Sequence, residues 1–214
     1  MKKLIIILGF ILVNNNIFTL YAQNTFTDVR DNQTYKTVRI GNQIWMAENL
    51  NFKTDSGSWI YDNLSENASI YGRLYTWETA NEVCPIGWHL PSNIEWTELL
   101  IYINNGQKKD NEKTYLVANK MKQTGIFYWY YTKNGRNYEN DPNVTNLSGF
   151  TAIPAGMRDT EGYFYFKGGK TFFWSSSKKE KNHFNYGMDI LVEDVLEGMN
   201  WEPFAFSVRC VKDR

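Results

Sequence analysis

Hydrophobic and polar positions alternate near both ends of the chain and follow a helical period between them. Near the N-terminus, Gly41 and Asn42 are typical of a two-residue hairpin turn, and the register that this turn sets places Val38 opposite Trp45. The pattern therefore predicts an N-terminal hairpin with one buried face. Residues 51–70 are polar and rich in turn formers, which indicates a surface loop.

Two helices are predicted in the middle of the chain. Residues 73–83 carry an apolar side chain at every third position, which fits one side of a short amphipathic helix. Ser92 and Glu95 form a capping-box pattern, and an apolar stripe with helical spacing follows them, so a second helix is expected over residues 93–104. A third short helix or turn is expected within residues 113–123.

The period becomes alternating in the C-terminal half. Residues 149–157, 162–167 and 170–177 are short, rich in Phe and Tyr, and separated by turn formers, which predicts an antiparallel strand meander. In residues 204–211 the even-numbered side chains are predicted to face the core, and Arg209 is predicted to lie on the opposite face. Strands, helices and then strands again define an α+β domain.

The first 22 residues have the features of a secretory signal peptide. Lys2 and Lys3 precede an apolar run of about ten residues, and a small residue, Ala22, lies at the expected cut. We expect this segment to be removed, which leaves one slightly acidic, exported domain over residues 23–214. A membrane anchor is the alternative. Because no Cys lies near the cut and no second long apolar stretch follows, neither an N-terminal lipid anchor nor a membrane span is expected in the mature chain.

The charge balance argues against one class of function, and the cysteine content predicts a disulfide. The 23 basic and 23 acidic residues balance, which argues against nucleic-acid binding through phosphate neutralisation. Export places Cys84 and Cys210 in an oxidising compartment, where two thiols in one domain are expected to form a disulfide. Two separate free thiols are the alternative.

Five ordered stretches of this sequence resemble the Fibrobacter succinogenes major paralogous domain, a family of exported bacterial proteins. They are IGNQIWMAENL (40–50), YGRLYTWETANEVCPIGWHLPSNIEW (71–96), GFTAIPAGMRDTEGYF (149–164), FFWSSS (172–177) and SVRC (207–210). HLPSNIEW and SVRC are also similar to segments of formylglycine-generating enzymes, which implies a C-type lectin-like fold with an N-terminal hairpin, two to three short helices and the C-terminal meander.

No catalytic residue is expected. His89 and His183 have no metal-ligand spacing, and His89 is expected instead to make hydrogen bonds at the start of the second helix. The serines at 175–177 lack the glycine spacing of a nucleophile elbow. The scattered carboxylates do not single out an acid–base pair for glycoside hydrolysis.

Two neighbouring segments are candidates for ligand binding. Tyr128, Trp129, Tyr130 and Tyr131 cannot all point inward if the chain is extended, so some of them are expected at the surface, where they would stack on sugar rings. Packing of these aromatic residues beneath the loop 132–148 is the alternative.

The second segment is a polar loop that carries Glu139, Asn140, Asp141 and Asn143. Asn140, Asp141 and Asn143 are candidate ligand contacts, and the oxygens of Glu139, Asp141 and Asn143 are candidate Ca²⁺ ligands. A solvated polar turn is the alternative. No other cofactor is expected.

These features together predict an exported, non-catalytic binding module of the cell envelope or extracellular space, with a glycan or a surface protein as its partner. A carbohydrate-active or formylglycine-generating-like enzyme is one alternative. A structural component of a surface assembly is another.

Overall fold

The computed structural model describes residues 24–107, 114–125, 128–133, 136–139, 142–200 and 204–214, so the predicted signal peptide lies outside the described residues. The strands are β1 (Asn24–Thr27), β2 (Thr34–Ile40), β3 (Gln43–Met46), β4 (Ser58–Trp59), β5 (Leu74–Tyr75), β6 (Trp88–His89), β7 (Thr114–Tyr115), β8 (Tyr130–Lys133), β9 (Arg136–Glu139), β10 (Met157–Arg158), β11 (Phe164–Tyr165), β12 (Lys170–Lys179), β13 (Asn182–Asp189), β14 (Val195–Asn200), β15 (Phe206–Ser207) and β16 (Val211–Lys212). The helices are α1 (Ser65–Tyr71), α2 (Trp77–Glu82), α3 (Asn93–Ile103) and α4 (Ala118–Met121), and a 3₁₀ turn covers Tyr61–Asn63.

Two larger sheets organise the described residues. A five-stranded sheet has the order β1-β2-β3-β16-β6, and a seven-stranded sheet has the order β4-β5-β15-β12-β13-β14-β7. Two further hairpins, β8–β9 and β10–β11, form two-stranded sheets, and Arg158 of β10 also bridges to Ala205 beside β15. The fold is mostly β with a few short helices, and strands from both ends of the chain meet in the five-stranded sheet.

The predictions that depend on residues close together in the sequence are confirmed in the β2–β3 hairpin and in α3. Val38 pairs with Trp45 across the β2–β3 hairpin, as the Gly41-Asn42 turn predicts. Helix α3 begins with a complete capping box, in which Ser92 and Glu95 exchange side-chain-to-backbone hydrogen bonds. The predicted apolar stripe of α3, Trp96, Leu99, Leu100 and Ile103, is buried.

Other predicted boundaries are corrected. The helix predicted over residues 73–83 is shorter, because Leu74–Tyr75 forms strand β5 and Thr76 caps a helix that begins at Trp77. The expected loop 51–70 contains the start of α1. The long hairpin β13–β14, in which His183–Met188 pairs with Val195–Asn200, has no counterpart in the sequence prediction.

The final segment differs most from the prediction. Instead of one strand with one buried face, β15 pairs in the seven-stranded sheet and β16 pairs in the five-stranded sheet. The chain crosses from one sheet to the other between them, so both faces are covered and residues 205–211 are buried throughout. Arg209, which is predicted on the face opposite Cys210, is therefore buried as well and is 0% exposed.

The disulfide between Cys84 and Cys210 is confirmed, with a Cα–Cα distance of 5.9 Å. It joins the segment that follows α2 to the crossing between the two sheets. A disulfide is compatible with an exported protein. Within the described residues, no helix is long and apolar enough to cross a membrane.

Candidate functional site

A polar cleft of about 440 Å³ lies where the segment after β3 meets α1 and the segment 146–153. The residues that line it are predominantly polar: Gln33, Tyr35, Lys36, Ala47, Glu48, Asn49, Asn51, Ala68, Ser69, Ile70, Gly72, Gln123, Tyr128, Asn146, Thr151, Ile153 and Arg209. These residues come from distant parts of the chain, and the fold brings their amide, hydroxyl and charged groups together.

Arg209 holds the base of the cleft together. Its Nε donates to Asn49 Oδ1 at 2.7 Å, and its Nη1 donates to the carbonyls of Met46 at 3.2 Å and Phe150 at 2.6 Å. Its Nη2 donates to the carbonyl of Thr151 at 2.7 Å. Arg209 therefore ties the end of β3 to the segment around residue 150.

The charge of Arg209 is stabilised by neutral oxygens and by aromatic rings. Among the described residues no carboxylate lies within salt-bridge distance of the guanidinium, which lies 4.8 Å from the ring centre of Phe150 and 5.5 Å from that of Phe173. Burial lowers the pKa of Arg209 to about 9, and the negative charge of Glu48 acts in the opposite direction. The guanidinium therefore remains protonated at neutral pH.

Asn49 extends the same network toward α1. Its Nδ2 donates to the carbonyl of Tyr71 at 2.9 Å and to Ser207 Oγ at 3.2 Å, while its Oδ1 accepts from Arg209. All of the hydrogen-bonding capacity of this buried amide except one acceptor position is used. The two walls of the cleft are thus fixed by buried polar contacts.

Thr151 lines the cleft in a strained backbone conformation. Its φ is +60°, a value that a β-branched residue adopts rarely. Asn146 holds it there, because Asn146 Oδ1 accepts from the Thr151 amide at 2.9 Å and Asn146 Nδ2 donates to Thr151 Oγ1 at 3.0 Å. The hydrogen bond from Arg209 Nη2 to the Thr151 carbonyl also holds this residue in place. Strain of this kind persists only where the surrounding structure enforces it, and it concentrates at functional sites.

Asn51 presents an unused acceptor. Its backbone amide donates to the Tyr35 hydroxyl at 3.1 Å, and burial raises the pKa of Tyr35 to about 12. The Asn51 side-chain oxygen is buried and has no hydrogen-bond partner among the described residues. A buried acceptor without a partner costs stability, and a donor on a bound ligand would satisfy it.

The predicted aromatic run does not form one platform. Tyr128 is half-buried and lines the cleft, so it stays a candidate ligand contact. Trp129 is 0% exposed, and its Nε1 donates to the Ala152 carbonyl at 3.1 Å. The prediction that Trp129 stacks on a ligand is wrong for this structure, because its ring is packed in the core. Tyr130 is 44% exposed and does not line the cleft.

The polar loop remains outside the cleft as far as it is described. Asn143 is exposed and is not among the cleft residues. Asn140 and Asp141, together with the side chains of Tyr131 and Glu139, lie outside what the structure describes. Among the described residues no group of three His, Cys, Asp or Glu side chains is arranged to hold a metal ion. The Ca²⁺ site stays a prediction.

Sequence reasoning missed most of the cleft. Asn49, Asn51, Thr151 and Arg209 were not predicted as site residues, although Asn49, Thr151 and Arg209 lie within the stretches that carry the family resemblance. An arginine inside the mostly apolar segment 204–211 was the strongest available signal, because an interior cation requires a dedicated set of acceptors.

His89 lies in a separate polar cluster at the start of α3, where the sequence predicts that it makes hydrogen bonds. Its Nε2 lies 2.7 Å from Glu95 Oε1 and its Nδ1 lies 2.6 Å from Asp213 Oδ1. Burial lowers the pKa of His89, but the hydrogen bonds and charges of the two carboxylates outweigh that effect and raise it above its ordinary value. The histidine joins the start of α3 to the C-terminal segment, so the expected hydrogen-bonding role is confirmed.

These features define a mostly β domain, closed by a disulfide and carrying one strained polar cleft. The comparison with protein families matches residues 38–212 to the Fibrobacter succinogenes major domain. This chain belongs to that family. The comparisons with curated proteins and with solved structures found no significant match.

Proposed function

We propose that this chain is an exported, non-catalytic binding module of C-type lectin-like architecture and that its polar cleft binds a glycan, either free or carried on a surface protein. The observation that carries the proposal is the convergence of Tyr128, an unpaired acceptor on Asn51 and the strained Thr151 on one cleft. Binding sites typically combine a concave shape with a few well-placed polar groups.

The chemistry of the cleft suits a sugar. Its amides, hydroxyls and the carboxylate of Glu48 match the donors and acceptors of sugar hydroxyls, and Tyr128 supplies an aromatic surface for the C–H face of a pyranose ring. Glu48 Oε2 accepts from the Lys36 backbone amide at 2.7 Å, which fixes the carboxylate at the rim. A rigid set of such groups reduces the entropic cost of binding.

Export and architecture are parts of the same proposal. The disulfide supports export, and the meeting of N-terminal and C-terminal strands in one sheet supports the C-type lectin-like arrangement. Cell fractionation with N-terminal sequencing of the exported protein would test export and the cut after residue 22.

The binding proposal is tested by a glycan array followed by calorimetric titration of the best ligand. We expect Tyr128→Ala to weaken binding about tenfold, since stacking and aromatic burial contribute about 1–2 kcal/mol. Tyr163→Ala is the matched control, because Tyr163 is 61% exposed and lies outside the cleft. Equal losses in both variants, or a ligand unaffected by Tyr128→Ala, would refute the cleft as the site. Turnover of the bound glycan would refute the non-catalytic assignment.

A further inference from the structure

A second concave surface, separate from the polar cleft, carries a concentration of positive charge. We call it the Arg39 pocket. It has a volume of about 440 Å³ and is lined by Arg39, Ile40, Tyr102, Ile103, Asn105, Gly106, Lys120, Leu147 and Ser148. It lies between the end of β2, the C-terminal end of α3 and helix α4. Its described lining contains two cations and no carboxylate.

The two cations differ in how they are held. The Nζ of Lys120 donates to the Ile103 carbonyl at 3.2 Å, which places the ammonium group at the end of α3. Its other donors have no partner in the part of the chain that the structure describes. Arg39 is exposed, and its guanidinium has no hydrogen bond or ion pair within the described part of the chain. Glu98, which lies on α3 one turn before Tyr102, is paired with Arg214 at 2.5 Å. Since no described carboxylate pairs with either cation, the charge in the pocket favours an anion.

The rim of the pocket also offers surface for a ring. Tyr102 is 58% exposed and Leu147 is 64% exposed. The ring of Tyr102 packs on the hairpin turn, since a Cβ added at Gly41 would lie 3.0 Å from Tyr102 Cδ2. The turn thus supports the aromatic ring beside the two cations.

We propose that the Arg39 pocket is a second saccharide site, selective for an acidic sugar. The carboxylate of the sugar would be bound by the fork of Arg39 and by Lys120, and its ring would pack on Tyr102. A planar guanidinium matches a carboxylate through two parallel hydrogen bonds. This site is independent of the polar cleft and does not require the cleft to bind anything.

The test is titration of the purified protein with a short oligogalacturonide and with its methyl-esterified form, which has the same sugar rings but carries uncharged methyl esters in place of the carboxylates. We expect the acidic form to bind at least about tenfold more tightly, and this preference to fall as salt is added. Inorganic sulfate is the third probe, and it should bind more weakly than the acidic saccharide because it lacks the ring. Equal affinity for the acidic and esterified forms would overturn the proposal, as would sulfate that matches the oligosaccharide.

Single substitutions show which of the two pockets binds the oligogalacturonide. Arg39→Gln should weaken oligogalacturonide binding about tenfold, because one charge-assisted pair is lost, and Tyr102→Ala should weaken it severalfold. Lys181→Gln removes one exposed charge from the β12–β13 turn, outside the pocket, and should leave the affinity unchanged. Thermal unfolding of each variant verifies that it is folded. Tyr128→Ala should not affect this binding, so loss in Tyr128→Ala with retention in Arg39→Gln would overturn the second site and assign the ligand to the cleft.

Discussion

Replacing Arg209 with Met would test whether the buried guanidinium organises the cleft. The substitution keeps an apolar stem but removes the donors to Asn49 Oδ1 and to three backbone carbonyls. Each acceptor left without a partner costs about 1 kcal/mol, and removal of a buried charge returns part of that cost. The expected loss is therefore about 2–4 kcal/mol of unfolding free energy.

The assay is equilibrium unfolding in guanidinium chloride followed by tryptophan fluorescence, with the disulfide intact. Arg209→Lys should lose less than Arg209→Met, because an ammonium group keeps the charge and up to three donors but lacks the planar fork. Arg39→Met is the matched control, because Arg39 is exposed, and its effect should stay within about 0.5 kcal/mol. A loss below about 0.5 kcal/mol in Arg209→Met would refute the view that this residue organises the site.

Three further predictions concern packing, the disulfide and pH. Trp129→Ala should cost about 3–5 kcal/mol in a urea titration, because the indole is fully buried, and a near-neutral result would contradict its core position. Replacing both Cys84 and Cys210 with Ser should cost about 4–5 kcal/mol, given their separation of 126 residues, and reduction of the native protein should reproduce the loss. The raised pKa of His89 means that its contribution is complete below about pH 6.5 and is lost as pH rises through the folded-state pKa, so the stability difference between wild type and His89→Gln should shrink as pH rises from about 6.5 through that pKa. A difference that grows over this range would contradict the two-carboxylate contact.

The features that were predictable from the sequence are those determined by residues close together in the chain. The Gly41-Asn42 turn sets the register of its own hairpin, and Ser92 with Glu95 caps the helix that they begin. The disulfide is an exception, because its cysteines are 126 residues apart; it was predictable since the expected export favours pairing and two cysteines allow one intramolecular pair. Each of these inferences needs no knowledge of where distant segments pack.

The candidate site was not predictable in this way, because its groups are neighbours only after folding. The Arg209 guanidinium bonds the carbonyl of Met46, 163 residues away, and that of Phe150, 59 residues away. Alternation along the final segment indicates which residues share a face, but it contains no information on whether a second sheet covers the other face. Trp129 illustrates the same limit, since its partner, the Ala152 carbonyl, belongs to another segment.

The crossing between the two sheets explains why these features occur together. A chain that leaves one sheet and joins another buries both faces of the connecting residues, so a cation there must find acceptors within the protein. At this crossing Arg209 finds them in the end of β3 and in the carbonyl of the strained Thr151, while the adjacent Cys210 is bonded to Cys84. The same few residues therefore join the sheets and shape the cleft, and a change at the crossing should alter ligand binding and stability together.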